Sequence, residues 1–198
     1  LASRLGVLGG TFDPVHIGHL ILGETAREQA RLERVLFVPA GQQWRKAERE
    51  TAPAEHRVAM VRLAIEGHPQ FELSLLEVQR PGPSYTEVTL EALRAGNAEQ
   101  ELFFIIGRDA LADLPNWRAP ARILELAALL VAERPGEGGG AAEEAVLPGL
   151  KARLEWLRMP LIEVSASDIR RRVYEGRSIR YLTPDPVVRY IAEKGLYR

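Results

Sequence analysis

Short apolar runs alternate along this chain with longer amphipathic stretches. The runs Leu5–Leu8, Val35–Val38, Phe71–Leu75, Leu102–Ile106, Ala128–Ala132 and Glu155–Arg158 predict six strands. The first, second and fourth are compact and largely apolar, as strands covered on both faces are. Between them, Gly18–Leu32, Pro53–Glu66, Tyr85–Ala95 and Ala119–Leu126 carry helical spacing. Strand–helix–strand alternation predicts an α/β fold, a Rossmann-like doubly wound parallel sheet with right-handed crossovers. Such sheets take ligands outside the carboxyl ends of their strands, where the strand order reverses. The loops after strands one, two and four are therefore where chemistry is expected.

The pattern changes near the end. Ser167–Tyr174 and Pro186–Glu193 predict two helices, with Pro184 and Pro186 ahead of the second and Gly195 placed to end it. This helical part, about 165–198, is expected to cap the ligand edge within one domain spanning 1–198. The stretch Arg134–Ala142, RPGEGGGAA, reads as an exposed loop.

Composition narrows the function. With 26 basic and 27 acidic residues the formal charge is −1, so no global field favours nucleic acid or an anionic membrane. No cysteine is present, which excludes disulfides, thiolate metal sites and a cysteine nucleophile. Leu5–Leu8 is too short for a signal-peptide core, and Ile123–Val131 contains Glu125 and is far below a membrane span. These features predict a soluble cytoplasmic protein. Arginine outnumbers lysine 23 to 3, so Lys46 stands out.

Candidate chemistry concentrates in Gly9-Gly10-Thr11-Phe12-Asp13-Pro14-Val15-His16-Ile17-Gly18-His19, between the first strand and the first helix. Glycines allow close backbone approach, and free N–H groups at a helix start favour phosphate. Two of the chain's four histidines fall here, three residues apart and so on one helix face. They can donate to an anion, and gain charge if protonated. Gly18 between them removes a side chain that could block a triphosphate. Read singly, the glycines could be a turn and a histidine a cap. A metal pair would need a third ligand, and none is evident nearby. Neither G-x-x-x-x-G-K-[ST] nor G-x-G-x-x-G occurs in this segment.

A second cluster is Ser165-Ala166-Ser167-Asp168-Ile169-Arg170-Arg171-Arg172. Ser167 is a candidate N-cap, Asp168 suits the positive helix end, and Arg170 could reach a phosphate as a bidentate donor. An ordinary capped helix with a solvated arginine face would read the same way.

Together the clusters resemble the nucleotidyltransferases related to class I aminoacyl-tRNA synthetases, whose signatures are G-x-F-x-P-x-H-x-G-H and S-x-[ST]-x-x-R. The likeness is closest to bacterial nicotinate-nucleotide adenylyltransferases. It extends to Pro83-Ser84-Tyr85-Thr86, to Ile105-Ile106-Gly107-Arg108-Asp109-Ala110-Leu111 followed by Trp117, and to Gly195-Leu196-Tyr197. The resemblance implies His16, His19 and Arg170 as catalytic residues. It implies ATP binding by Gly9, Gly10, Thr11, Phe12, Gly18, Lys46, Gly107, Asp109, Ser165 and Ser167. It implies binding of nicotinate mononucleotide by Asp13, Ser84, Tyr85, Thr86 and Trp117. Chemically, Trp117 can stack on a pyridine, Thr86 can donate to a carboxylate, and Asp109 can accept from ribose hydroxyls.

The implied reaction transfers the adenylyl group of ATP to nicotinate mononucleotide, with Mg²⁺ carried mainly by the ATP phosphates and no protein metal site. The expected partners are these two nucleotides, without nucleic acid or membrane; a homo-oligomer stays open. Alternatives are an adenylyltransferase acting on nicotinamide mononucleotide or phosphopantetheine, and a non-catalytic nucleotide sensor. Two departures stand out. Arg118 follows the tryptophan where a tyrosine is common, and Gln43-Trp44-Arg45-Lys46 keeps only the lysine of P-P-H-K. Trp156 and His68 read as structural; His56 and Arg57 receive no role.

Overall fold

The computed structural model describes residues 3–42, 51–133 and 148–198. Six strands, β1 (Arg4–Gly10), β2 (Arg34–Pro39), β3 (Phe71–Leu73), β4 (Glu101–Gly107), β5 (Ala127–Glu133) and β6 (Leu154–Arg158), form one sheet in the order β3-β2-β1-β4-β5-β6. Every neighbouring pair is parallel. The order reverses at β1, which pairs with β2 on one side and β4 on the other, and this opens a crevice at their carboxyl ends.

Alternation along the strands sorts side chains into two cores. Leu8, Val35, Phe37, Phe103, Ile105 and Leu130 face one layer, with helices α1 (Ile17–Gln29) and α2 (Ala54–Ile65) supplying Ala26, Met60 and Val61. Leu5, Val7, Leu36, Val38, Phe104 and Ile106 face the other. That layer holds Leu90 of α4 (Thr86–Gly96), Leu111 of α5 (Arg108–Asp113) and Ile123 of α6 (Pro120–Leu126). Gly6 belongs to the first face for a packing reason. A Cβ there would stand 2.7 Å from Leu32 Cδ1.

All six expected strands form, as do the six expected helices with shifted ends. β3 stops at Leu73 rather than Leu75, and the short α3 (Leu76–Gln79) follows. Gly41 explains that turn, since a Cβ on it would lie 2.3 Å from the Glu77 carbonyl oxygen. The β2 exit loop and α3 meet backbone to backbone, and side-chain periodicity carries no signal of that. Two other short elements also escape periodicity: α5 and α7 (Leu150–Arg153). The expected loop at 134–142 and Lys46 lie outside the described residues.

Helices α8 (Ala166–Tyr174) and α9 (Asp185–Lys194) close the chain onto the first core through Ile169, Val187 and Ile191. Pro186 sits inside the first turn of α9 rather than before it, and Gly195 ends it with φ 62°. Thr183 Oγ1 donates to the Val15 carbonyl at 2.8 Å, and Ile17 N–H donates to Leu182 O at 3.0 Å. The late segment is thus bonded directly to the β1–α1 loop. Among the described residues no helix is long and apolar enough to cross a membrane.

Candidate active site

The loop from β1 to α1 is wound tightly. Phe12 is buried in the left-handed region, with φ 51°. Its ring lies 3.3 Å from where a Cβ on Gly10 would stand, a close approach that glycine leaves unhindered. Buried Arg57 of α2 holds the same loop by donating to the carbonyls of Thr11 (2.9 Å), Ala40 (2.8 Å) and Ala52 (3.0 Å). One guanidinium thereby ties the exit of β1 to the exit of β2.

This framework presents the two histidines. Their ring centroids are 3.7 Å apart at a 30° tilt, and the edge of Phe12 supports His19 at 5.0 Å. The His16 backbone N–H donates to His19 Nδ1 at 3.2 Å. That bond assigns the neutral His19 proton to Nε2, making Nε2 a donor. Burial lowers the His16 pKa to about 4. His19 lies well below the usual range, first through burial and then through His16. Both rings are therefore neutral donors in the free protein near pH 7. Gly18 lines the cavity and also gives His16 room, since a Cβ there would approach its Nδ1 to 3.1 Å.

The second cluster is rearranged relative to expectation. Ser165, not Ser167, is the N-cap of α8, its hydroxyl accepting from Asp168 N–H at 3.1 Å. Ser165 does not line the central cavity, whereas Ser167 and Arg170 do. A helix starting one residue earlier than expected puts Ser167 within reach of Arg170, at 3.3 Å. Arg170 also donates to the Asp13 carbonyl at 2.5 Å and faces the Asp13 carboxylate at 3.5 Å. Arg171 and Arg172 both pair with Asp168. Arg171 is exposed as expected, while the Arg172 side chain is only 30% exposed.

A cavity of about 730 Å³ runs from the histidines along the crevice. Gly9, Gly10, Thr11, Phe12, Asp13, His16, Gly18, His19 and Arg170 line one end. Ser84, Tyr85, Thr86 and Trp117 line the wall beyond, with Gly107 and Asp109 at the end of β4. A Cβ on Gly107 would meet nothing within 4 Å, so that position keeps space open. Trp117 is fixed by its Nε1–H to Asp113 at 3.1 Å and by an edge contact with Phe104. Ser84 also ties the wall to the β2 exit, accepting from Gly41 N–H at 2.9 Å. Asp13 is buried and engaged by Tyr197 (2.7 Å) and Ala52 N–H (3.2 Å). Arg118 pairs with buried Glu87 at 3.0 Å and covers the Tyr85 ring at 4.4 Å.

Sequence reasoning missed Arg57 and the lining segment Met159–Ile162 after β6. The second was findable, because it follows the carboxyl end of a strand as the other lining loops do.

A parallel sheet with this reversal, a glycine-rich β1 exit, and two histidines and an arginine lining one cavity fit a nucleotide-binding transferase class. The profile of the cytidylyltransferase-like family matches residues 7–172. The chain belongs to that family. Curated relatives named probable nicotinate-nucleotide adenylyltransferase are 51% identical in Thermomicrobium roseum, covering 99% of this chain and 92% of theirs, and 51% identical in a Roseiflexus species, covering 100% and 99%. In fold, the chain is similar to the Plasmodium falciparum nicotinic acid mononucleotide adenylyltransferase solved with NaAD. The TM-score is 0.83 at 16% identity, covering 98% of this chain and 97% of that one.

Proposed function

We propose that this protein transfers the adenylyl group of ATP to the 5′-phosphate of nicotinate mononucleotide, releasing pyrophosphate and forming nicotinate adenine dinucleotide. The observation that carries the reading is the neutral, closely packed His16–His19 pair, in one cavity with Arg170, Thr86 and Trp117. The relatives named for this activity support it.

An oxygen of the mononucleotide phosphate attacks Pα of ATP, and the bond from Pα to the bridging oxygen breaks. The nucleophile is mostly dianionic at neutral pH, its second pKa being about 6, so no general base is needed. Positioning and charge stabilisation then supply the catalysis. His16 holds the α-phosphate, while His19 Nε2–H and Arg170 meet the charge gathering on the leaving pyrophosphate. The polyphosphate's own charge raises both imidazole pKa values when it binds, so the neutral donors can gain proton character with substrate present. Trp117 supplies a flat wall for the pyridine, and Thr86, first residue of α4, supplies donors to its carboxylate. We assign Lys46 to the leaving phosphates on the family resemblance alone.

Among the described residues no three His, Asp or Glu side chains group to hold a metal. Asp13 is engaged by Tyr197 and Ala52 and faces Arg170. A magnesium ion would be held mainly by the ATP phosphates and water, where it would offset their charge. We place the activity in the cytoplasm.

Pyrophosphate release with ATP and either nicotinate or nicotinamide mononucleotide tests the reading. A carboxylate only accepts, so a donor-lined site leaves a carboxamide NH₂ facing donors. The expected preference for the nicotinate form is at least about 10²-fold in kcat/KM. Equal values would overturn the acceptor while leaving adenylyl transfer standing. No release with either acceptor would point to a nucleotide sensor.

A further inference from the structure

The segment Gly195–Tyr197 has no part in the reaction above, yet it reaches into the catalytic loop. Gly195 and Tyr197 are both left-handed, with φ 62° and 66°. For tyrosine that conformation is strained, and such strain persists only where the surroundings enforce it. Leu196 N–H bonds back to Ile191 O at 3.1 Å, and Leu196 and Tyr197 pack on the first core. Tyr190 of α9 is itself tied to His56 of α2, its hydroxyl 2.9 Å from Nδ1. The phenol is thus carried in on a fixed support.

Its target is Asp13. Oδ1 of that buried carboxylate accepts from Tyr197 Oη–H at 2.7 Å and from Ala52 N–H at 3.2 Å. Oδ2 is buried without a hydrogen bond and faces Arg170 Nη1 at 3.5 Å. Arg170 is the cation on the phosphate end of the cavity, and it is anchored by the Asp13 carbonyl rather than by a tight carboxylate pair. Burial and the bond to Asp13 push the Tyr197 phenol well above its usual range, so it stays a donor.

We propose that the Tyr197 hydroxyl is a positioning group that satisfies Asp13 and so keeps Arg170 free to bind the substrate's phosphates. Without that donor the buried carboxylate is short of partners; Arg57 nearby is committed to four carbonyls, which leaves Arg170, 3.5 Å from Oδ2, to take it up. The guanidinium would swing from the 3.5 Å approach into a full ion pair and be withdrawn from the phosphate site. Tyr197 does not line the cavity, so it acts through Asp13.

The proposal rests on the phosphate role of Arg170 given above. Its test uses Tyr197→Phe, Arg170→Ala and the double variant in the full chain. Three readouts are needed: pyrophosphate release, calorimetric affinity for inorganic pyrophosphate, and melting temperature. Tyr197→Phe should lower kcat and pyrophosphate affinity about tenfold each, with the mononucleotide KM within about twofold of the parent. In the Arg170→Ala background the same change should alter either quantity by less than about twofold, because the group it acts through is gone. An equal loss in both backgrounds, or none in the parent, would overturn the proposal. A fall in melting temperature of more than about 10 °C would also do so, by marking the bond as structural support. Pyrophosphate affinity is read without chemistry, so a parent that fails to turn over would count against the reaction and leave Tyr197 to be judged by binding.

Discussion

The two ends of the cavity are built differently. At one end the two histidines are three residues apart at the start of α1, Arg170 joins them from α8, and their supports are buried. Arg57 donates to the carbonyls of Thr11, Ala40, Gly41 and Ala52, Asp13 Oδ1 accepts from Tyr197 and Ala52, and Phe12 backs His19. At the other end, Tyr85 and Glu87 come from the start of α4 and Trp117 and Arg118 from the segment after α5, and Arg118 is 56% exposed. The first arrangement is over-determined: moving one group disturbs several buried bonds. In the second, most contacts are side chain to side chain near solvent, so residues can change without collapsing the loop. The proposed phosphate chemistry thus lies at the rigid end, and the proposed acceptor contacts at the adjustable one.

This contrast makes the largest effects fall on the phosphate end. His19→Ala removes the assigned Nε2–H donor, and kcat should drop by about 10²-fold or more, as for loss of a transition-state donor. Circular dichroism should show a folded protein, and turnover within threefold of the parent would end the assignment.

Stability should report the same burial. The His16 pKa falls from 6.5 to about 4 on folding, so the unfolded chain binds the proton more tightly. The full stability is present above pH 6.5 and is lost as pH falls toward 4, on the order of 3 kcal/mol for this group. Melting curves between pH 7 and pH 4 should show the loss, with a shallower slope in His16→Asn. Parallel curves would mean His16 is not the group responsible.

Within α8 the contrast sharpens to neighbours. Arg170→Ala should cost about 10²-fold in kcat, as for one transition-state donor. Arg171→Ala breaks an exposed ion pair with Asp168 and should stay within about twofold. Equal mild losses would reduce the cluster to a solvated helix face.

The smallest effect belongs to the ring end. Trp117→Ala should raise the mononucleotide KM about five- to tenfold and leave that of ATP nearly unchanged, since stacking touches only the pyridine. A matching rise for ATP would place the tryptophan in support of the whole wall.

Local sequence determined a good deal of this protein. Apolar runs such as Leu5–Leu8 and Leu102–Ile106 are long enough to be strands and too short to be much else. Their alternation with helical stretches leaves a parallel sheet as the consistent solution, so the crevice above β1 and β4 follows from chain order. The His16–His19 spacing and the Ser167–Arg170 spacing are helix-periodic, and such contacts are legible because the helix places them within one turn. Tertiary structure decided what depends on residues far apart in the chain. Arg57 carries no signal until the exits of β1 and β2 converge on it. Tyr197 lies 184 positions from Asp13, and only the packing of α9 against α2 brings its hydroxyl there. The cap of α8 is Ser165 rather than Ser167, and the helix it opens buries Ile169 and brings Arg170 to the β1–α1 loop. Local propensity ranks two serines alike, and the choice between them is made by long-range burial.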